Sequence, residues 1–563
     1  MEKKWWQRSV GYQIYPRSFY DSNNDGVGDL KGIIQKMDYI EDLGVNLIWI
    51  CPFYRSPMDD NGYDVSDFYD VDPLFGTLDD AKQLILKAHE KGIKVILDLV
   101  MNQTSDEHPW FVESRKSKDN QKRDWYIWRD GKKDTQGNRI PPNNWASFFE
   151  GSCWNYDSHT DQYYMKIFSD KMPDLNWENE AMRKAMYDMA TWWLDLGVDG
   201  FRVDAIAHLA KDLTFEDSTM PLNRSGYAPD WRKFSNRERL FEYLAEFYDT
   251  VLNKYDCVTV GEVGGGATID DAVRYAGYDH KGFNMVFNFD HCWFKPAMWD
   301  EGQTVGDLDV DVVGLKKTLT KWINDSKDRV WIPHYWLNHD HPRVMSQYGD
   351  PISHHKASGK MLGMILLTLP GTPFIYNGEE IGMTNVDYDS VEEFKDVWVR
   401  NYVKDASKRM SMDQILRHLK RTSRDNARTP MQWNDQPNAG FSMGKPHQKV
   451  VGNYRQINVE QQLNDPDSIL KMYQKLIKLR LESDLSECLI YGDYKLLYPN
   501  HKKLFAYERT LEKQKILIIA NFSKSKTRYP DDISDYEIVI NNLDHPTNNM
   551  LQPYQAMILV KRG

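Results

Sequence analysis

The chain is short of cysteine, and the few it has form no pattern. Five occur in 563 residues, at Cys51, Cys153, Cys257, Cys292 and Cys488. An odd, scattered set with no C-x-x-C pair argues against a disulfide framework or a zinc knuckle, so a reducing, cytoplasmic setting is expected. Also missing is any run of 18 apolar residues, and the charged stretch over residues 1–8 is not followed by the apolar segment of a secretory signal. Neither membrane spanning nor secretion is therefore expected. Nor is there a basic excess: 71 Lys+Arg stand against 83 Asp+Glu, a net charge of −12 with no long Lys/Arg block, which excludes nucleic acid and anionic membranes as expected partners. Small neutral substrates remain open, and a monomer or weak homo-oligomer is expected.

What the chain does have is one repeated grammar: an amphipathic helix, a closing glycine, then an apolar strand. Leu30, Ile33, Ile34, Met37, Ile40 and Leu43 recur at helical spacing, followed by Gly44-Val45 and the strand Leu47-Ile48-Trp49-Ile50. A second copy runs from Ala81, Leu84, Ile85 and Ala88 through Gly92-Ile93 to Val95-Ile96-Leu97. A third runs from Met182, Ala185, Met186, Met189 and Trp193 through Gly197-Val198 to Gly200-Phe201-Arg202-Val203. Continuous apolar strands alternating with helices describe a parallel sheet covered by helices. With further strand candidates at Ile14-Tyr15, Val258–Val260, Met285–Phe287, Tyr335–Leu337 and Pro373–Tyr376, the count approaches eight, which suggests an α/β fold of the (β/α)8 TIM-barrel type. The polar, aromatic stretch after the third strand is too long for an ordinary loop and reads as an inserted subdomain, residues 104–171. The barrel then spans 1–103 and 172–480, and short β-type runs over 481–563 suggest a C-terminal antiparallel β-sandwich.

Acidic residues end these strands: Asp98, Asp204, Glu262 and Asp340. In a barrel the strand ends converge on one face, where a carboxylate gains no core packing and repels its neighbours. Any one of them alone could cap the next helix. Four in register point to catalysis or metal binding. Two carboxylates flanking a glycosidic bond can divide the work of nucleophile and acid.

The segments Asp98-Leu-Val-Met-Asn102, Gly200-Phe201-Arg202-Val203-Asp204, Gly261-Glu262 and Asn338-His339-Asp340 resemble, in order and spacing, the signature regions of the α-amylase superfamily, glycoside hydrolase family 13. Tyr12–Phe19, Pro141–Trp145 and Ser423–Trp433 look like its oligo-1,6-glucosidase and α-glucosidase group. The resemblance implies Asp204 as nucleophile, Glu262 as general acid/base and Asp340 as transition-state stabiliser, with Arg202 keeping Asp204 ionised. It implies that Asp60, Tyr63, Asp98, Phe168, His339 and Arg428 line the glucose pocket, with Tyr63 as a stacking face and Asp60 and Arg428 closing the end. Gln103 stands where the group usually has His, and can donate a hydrogen bond to sugar but carries no charge. Ala205 stands where α-1,6-specific relatives have Val, which tilts the expectation to α-1,4 linkages.

Asp21, Asn23, Asp25, Val27 (through its carbonyl) and Asp29 alternate around glycine turns in a set of hard oxygen donors. Spacing alone leaves a solvated turn as an equal reading; the resemblance implies a structural Ca2+ site, with no organic cofactor. The expected activity is that of a retaining, exo-acting α-glucosidase on short oligosaccharides. The alternatives are an oligo-1,6-glucosidase (isomaltase), a glucosyl-transferring or isomerising relative, and, in another class, a non-catalytic sugar-binding or chaperoning amylase-fold protein.

Overall fold

A computed structural model describes residues 3–264, 266–295, 309–544 and 549–561. Its centre is a parallel eight-stranded barrel: β1 (Gly11–Ile14), β2 (Leu47–Ile50), β3 (Lys94–Val100), β4 (Gly200–Asp204), β5 (Val258–Glu262), β6 (Met285–Phe287), β7 (Pro333–Tyr335) and β8 (Thr372–Tyr376). The hydrogen-bonded order is β6-β5-β4-β3-β2-β1-β8-β7. Side chains close the remaining seam: the Phe287 and Tyr335 rings meet edge-on at 5.2 Å, and the Tyr335 hydroxyl donates to the Asn288 carbonyl at 2.7 Å.

The helices form where the periodicity placed them, except that the first is broken at Lys36 into Leu30–Gln35 and Met37–Leu43. Helix Leu78–Glu90 starts in a capping box between Thr77 and Asp80 and buries Ala81, Leu84, Ile85 and Ala88. Helix Met37–Leu43 stops at Gly44, whose φ of 91° is left-handed and cheap only for glycine. Helix Glu180–Asp195 is capped by Asn179 and turns Met182, Met186, Met189 and Trp193 inward, which delivers β4 and its Arg202 to the centre of the barrel.

The insert leaves and returns through a neck where Gln103 bridges Asp174 and Tyr126 bridges Leu175. It carries a three-stranded sheet, Trp128–Arg129, Gln162–Met165 and Trp154–Asp157. Its core is shared: Trp145, Trp154, Met165 and Ile167 pack with Phe215 and Phe234, which follow β4 in the chain. The insert is thus clamped over the rim that holds the strand ends.

The C-terminal part is antiparallel: β9 (Asp493–Leu497), β10 (Leu504–Leu511), β11 (Gln514–Asn521), β12 (Tyr536–Asn541) and β13 (Ala556–Lys561), in the order β9-β10-β11-β13-β12. One face meets Leu551 of a small two-stranded sheet and Tyr529, the residue after its other strand. The other face, with Phe505, Tyr507, Ile518 and Ile558, joins the barrel core. Residue 480 falls inside helix Ile469–Glu482, and the sheet itself begins at Asp493. Buried Arg509 ties the two parts together by donating to the carbonyls of Thr368, Leu489 and Gly492 at 2.6–2.7 Å.

Candidate active site

Three neighbouring strands supply the heart of the site. Parallel register sets Arg202 of β4 beside Asp98 of β3 and Val260 of β5. Its guanidinium is 1% exposed and bonds Asp98 at 2.5 Å, Asp204 at 2.7 Å and also Glu262. The other Asp98 oxygen accepts from Trp49 at 2.8 Å and from the Tyr63 hydroxyl at 3.2 Å. Asp98 therefore lies beneath the pocket as a fixed counter-charge. Burial raises the Asp98 carboxyl even against Arg202. Burial likewise pushes Asp204 up to about 6, although the Arg202 charge pulls the other way. The expectation that Arg202 simply keeps Asp204 ionised is thus half the account: in a site this dry, desolvation outweighs one shared cation.

Asp340, past the end of β7, is gripped from its far side. Arg424 and Arg428 donate to the same oxygen at 3.0 and 2.8 Å. Burial would raise Asp340, but His339, Arg424 and Arg428 outweigh it and hold the carboxyl well below the usual range. Gln13 sits 2.9 Å from His339 Nδ1 and donates to it, which leaves Nε2 as the protonated nitrogen, 3.2 Å from Asp340. Burial holds the imidazole well below its usual value, although the Asp340 charge pulls the other way. The ring is stacked against Tyr63 at 5.3 Å and 4°, which fixes both planes.

The pocket's closed end differs from expectation in one residue. Asp60 bonds Arg424 at 3.2 Å, while Arg428 stays behind Asp340 and donates to the His339 carbonyl at 3.0 Å. Arg424 reaches both carboxylates because Asp396 takes its Nε and a second nitrogen at 2.5 and 2.6 Å. Arg424 lies inside the segment that carried the resemblance, but nothing in the sequence separates its role from that of Arg428; Asp396 lies in an unremarkable polar stretch and gave no signal. Burial lifts Asp60 to about 7 against the pull of Arg424.

The cavity so formed is lined by Asp60, Tyr63, Gln103, Phe168, Asp204, Glu262, His339 and Asp340, joined by Phe149, Met172, Ala205 and Arg424. Of the expected substrate residues, Asp98, Arg202 and Arg428 support this wall from behind. Gln103 is fully buried; its amide nitrogen reaches the Tyr63 carbonyl at 3.3 Å and its oxygen accepts from Asn102 at 3.0 Å. Ala205 has φ 47° and ψ 31°. That left-handed turn swings the chain away after β4 and leaves Asp204 pointing into the cavity, at a cost of about 1 kcal/mol for a non-glycine residue.

The loop expected to bind calcium lies apart from this wall. Asp21 accepts backbone N–H groups from Asn23, Asn24 and Gly26 and the Ser442 hydroxyl. Asp29 caps helix Leu30–Gln35 through the Gly32 amide. Asn23 and Asp25 each accept from the residue two positions on. Asp21 and Asp29 are buried, and among the described residues neither has a cationic side chain to pair with. Two buried acids without a counter-charge suit a hard cation. Yet no group of three or more His, Cys, Asp or Glu side chains converges among the described residues, so the carboxylates do not form a cage by themselves.

Comparison with known proteins agrees with this geometry. Residues 13–491 match the family model described as the α-amylase catalytic domain. An oligo-1,6-glucosidase of Bacillus cereus is 44% identical over 571 residues, covering 99% of each chain. An α-glucosidase of Candida albicans is 42% identical, also covering 99% of each. The crystal structure of a trehalose-6-phosphate hydrolase of Bacillus licheniformis superposes with a TM-score of 0.90 at 42% identity, covering 100% of both chains. A family model matched over most of the chain and relatives above 40% identity along its whole length place it: the chain belongs to the α-amylase family, glycoside hydrolase family 13.

Proposed function

We propose that the chain is a retaining, exo-acting α-glucosidase that removes terminal non-reducing glucosyl residues from short oligosaccharides, with α-1,4 linkages favoured. The observation that carries this reading is the single Arg202 guanidinium bridging Asp204 and Glu262. One planar group spanning both carboxyls fits the short separation of retaining enzymes, about 5–5.5 Å, better than the 6.5–9.5 Å that leaves room for water. The closed end at Asp60 and Arg424 supports exo action, since a chain can enter only by its terminus.

In this reading Asp204 attacks the anomeric carbon while Glu262 gives its proton to the departing oxygen. Glu262 then takes a proton from water as that water breaks the glucosyl ester. Glu262 lies against the Arg202 guanidinium, so it must turn from Arg202 toward the departing oxygen to act as its acid. Asp340, kept anionic by its arginines, faces the developing positive charge. Asp60, His339 and Gln103 supply hydrogen bonds to the ring's hydroxyls; Tyr63 and Phe168 supply apolar walls. An oligo-1,6-glucosidase is the second reading, favoured by the name of the Bacillus cereus relative. No helix among the described residues is long and apolar enough to cross a membrane. A cytoplasmic setting is supported by five cysteines, all of them free thiols.

Calcium would be held by Asp21, Asn23, Asp25, Asp29 and the Val27 carbonyl, where it would neutralise the buried acids and brace the loop. Chelation is expected to lower the melting temperature, and added Ca2+ to restore it; no shift on chelation would mean that the loop's own hydrogen bonds suffice.

Two further outcomes follow from the site. Because Asp204 must be ionised to attack and its carboxyl is pushed up to about 6, kcat/KM for an aryl α-glucoside falls about tenfold per unit as pH drops below about 6. A profile flat down to about pH 4, where an ordinary Asp titrates, contradicts it. Wild type is expected to cleave maltose faster than isomaltose. Replacing Ala205 by Val shifts the ratio toward isomaltose by about tenfold and costs about 1 kcal/mol of stability, since a branched residue resists the left-handed turn. An unchanged ratio removes Ala205 from the specificity argument.

A further inference from the structure

A second cavity among the described residues lies apart from the catalytic one. It measures about 730 Å³, against about 80 Å³ open at the catalytic pocket. Val330, Trp331 and Ile332 line it just before β7 begins, and Pro370 and Gly371 just before β8. Asp340 lies beyond the other end of β7, so this cavity opens at the opposite end of the barrel, where the last turn of helix Val312–Ser326 meets β9.

Its walls are aromatic and fixed. The rings of Trp331 and Tyr491 lie 5.6 Å apart and tilted by 54°. Trp331 is held by its indole N–H on Thr372 at 2.9 Å and by an edge contact with Trp6 at 6.3 Å. Tyr494 is pinned to Thr320, 3.0 Å between hydroxyls. Trp331, Tyr491 and Tyr494 are all half-exposed. The charges around them are largely matched: Lys327 pairs with Asp493 at 2.7 Å and Lys3 with Glu487, which leaves no cluster of one sign. Asn324, exposed on the rim, spends none of its side-chain amide on a hydrogen bond among the described residues.

A phosphate would ask for several converging cations and a metal for converging acids; of the lysines lining this cavity Lys327 and Lys3 are paired and Lys495 alone is left without an ion pair among the described residues, and no acids converge. Flat half-exposed rings beside neutral donors and acceptors, in a volume within the usual range of about 300–1,000 Å³ for small-molecule sites, fit a hexose chain, with its apolar ring faces and its rim of hydroxyls. We infer that this cavity is a second, non-catalytic binding site for neutral oligosaccharides, with Trp331 and Tyr491 as its platform. The choice of an α-1,4-linked probe rests on the proposed activity; the site itself does not.

The test counts labelled maltotriose bound per chain at saturation by equilibrium dialysis, using the Asp204→Asn protein so that the ligand is not consumed. Two per chain are expected, falling to one in Asn324→Trp, which fills the cavity from its exposed rim without removing a core contact, and in Trp331→Ala. The same cavity variants in an otherwise wild-type chain keep their kcat/KM for an aryl α-glucoside. A competitive glucose mimic in the catalytic pocket should displace only the molecule that Asn324→Trp leaves in place. If one molecule binds and only the mimic displaces it, the inference is wrong; if two still bind in both variants, the second site lies elsewhere and the inference is equally wrong. If one molecule binds that the mimic leaves untouched and Asn324→Trp abolishes, the cavity site stands and the proposed activity fails.

Discussion

The arrangement turns on one buried cation. Arg202 carries a guanidinium with 1% exposure into a ring of Asp98, Asp204 and Glu262. Three carboxyl groups this close would repel one another and resist ionisation without it, and the cation would be as costly to bury without them. Asp98 is the member that never meets substrate in this account. Its bonds to Trp49 and Tyr63 fix the geometry from below, so that the other two are left to the chemistry.

The second charge network runs the opposite way. Around Arg202 acids outnumber cations, and Asp204 titrates high; around Asp340 two arginines face one carboxyl, which is held low. Asp396 and Asp60 restore balance at the pocket's closed end by occupying the remaining nitrogens of Arg424. A single pocket thus contains carboxyls of the same residue type with pKa values pushed in opposite directions, the condition under which acids can be assigned different tasks.

Much of this could be read from the chain. Periodicity located the helices through Ala81, Leu84, Ile85 and Ala88 and through Met182, Met186 and Met189, because a helix buries one stripe and a parallel strand buries everything. Strand-end acids flagged the site because barrel topology alone makes them neighbours. The shared core of the insert was not legible: Phe215 and Phe234 sit far along the chain from Trp145 and Met165, and no local pattern announces such a contact. The exchange of roles between Arg428 and Arg424 was hidden for a similar reason. Both are arginines of one short segment, and only the fold, through Asp396, decides which of them reaches Asp60. Likewise the φ of Ala205 belongs to the packed strand end and not to any preference of alanine.

The account stands on Asp204 and Glu262 acting as a close pair held by one arginine, which requires two successive displacements at the anomeric carbon. The most direct test is the configuration of the first glucose released from an aryl α-glucoside, followed by proton NMR before mutarotation. The account predicts α-glucose first, relaxing to the α/β mixture; β-glucose first would mean a single displacement by water and would contradict it.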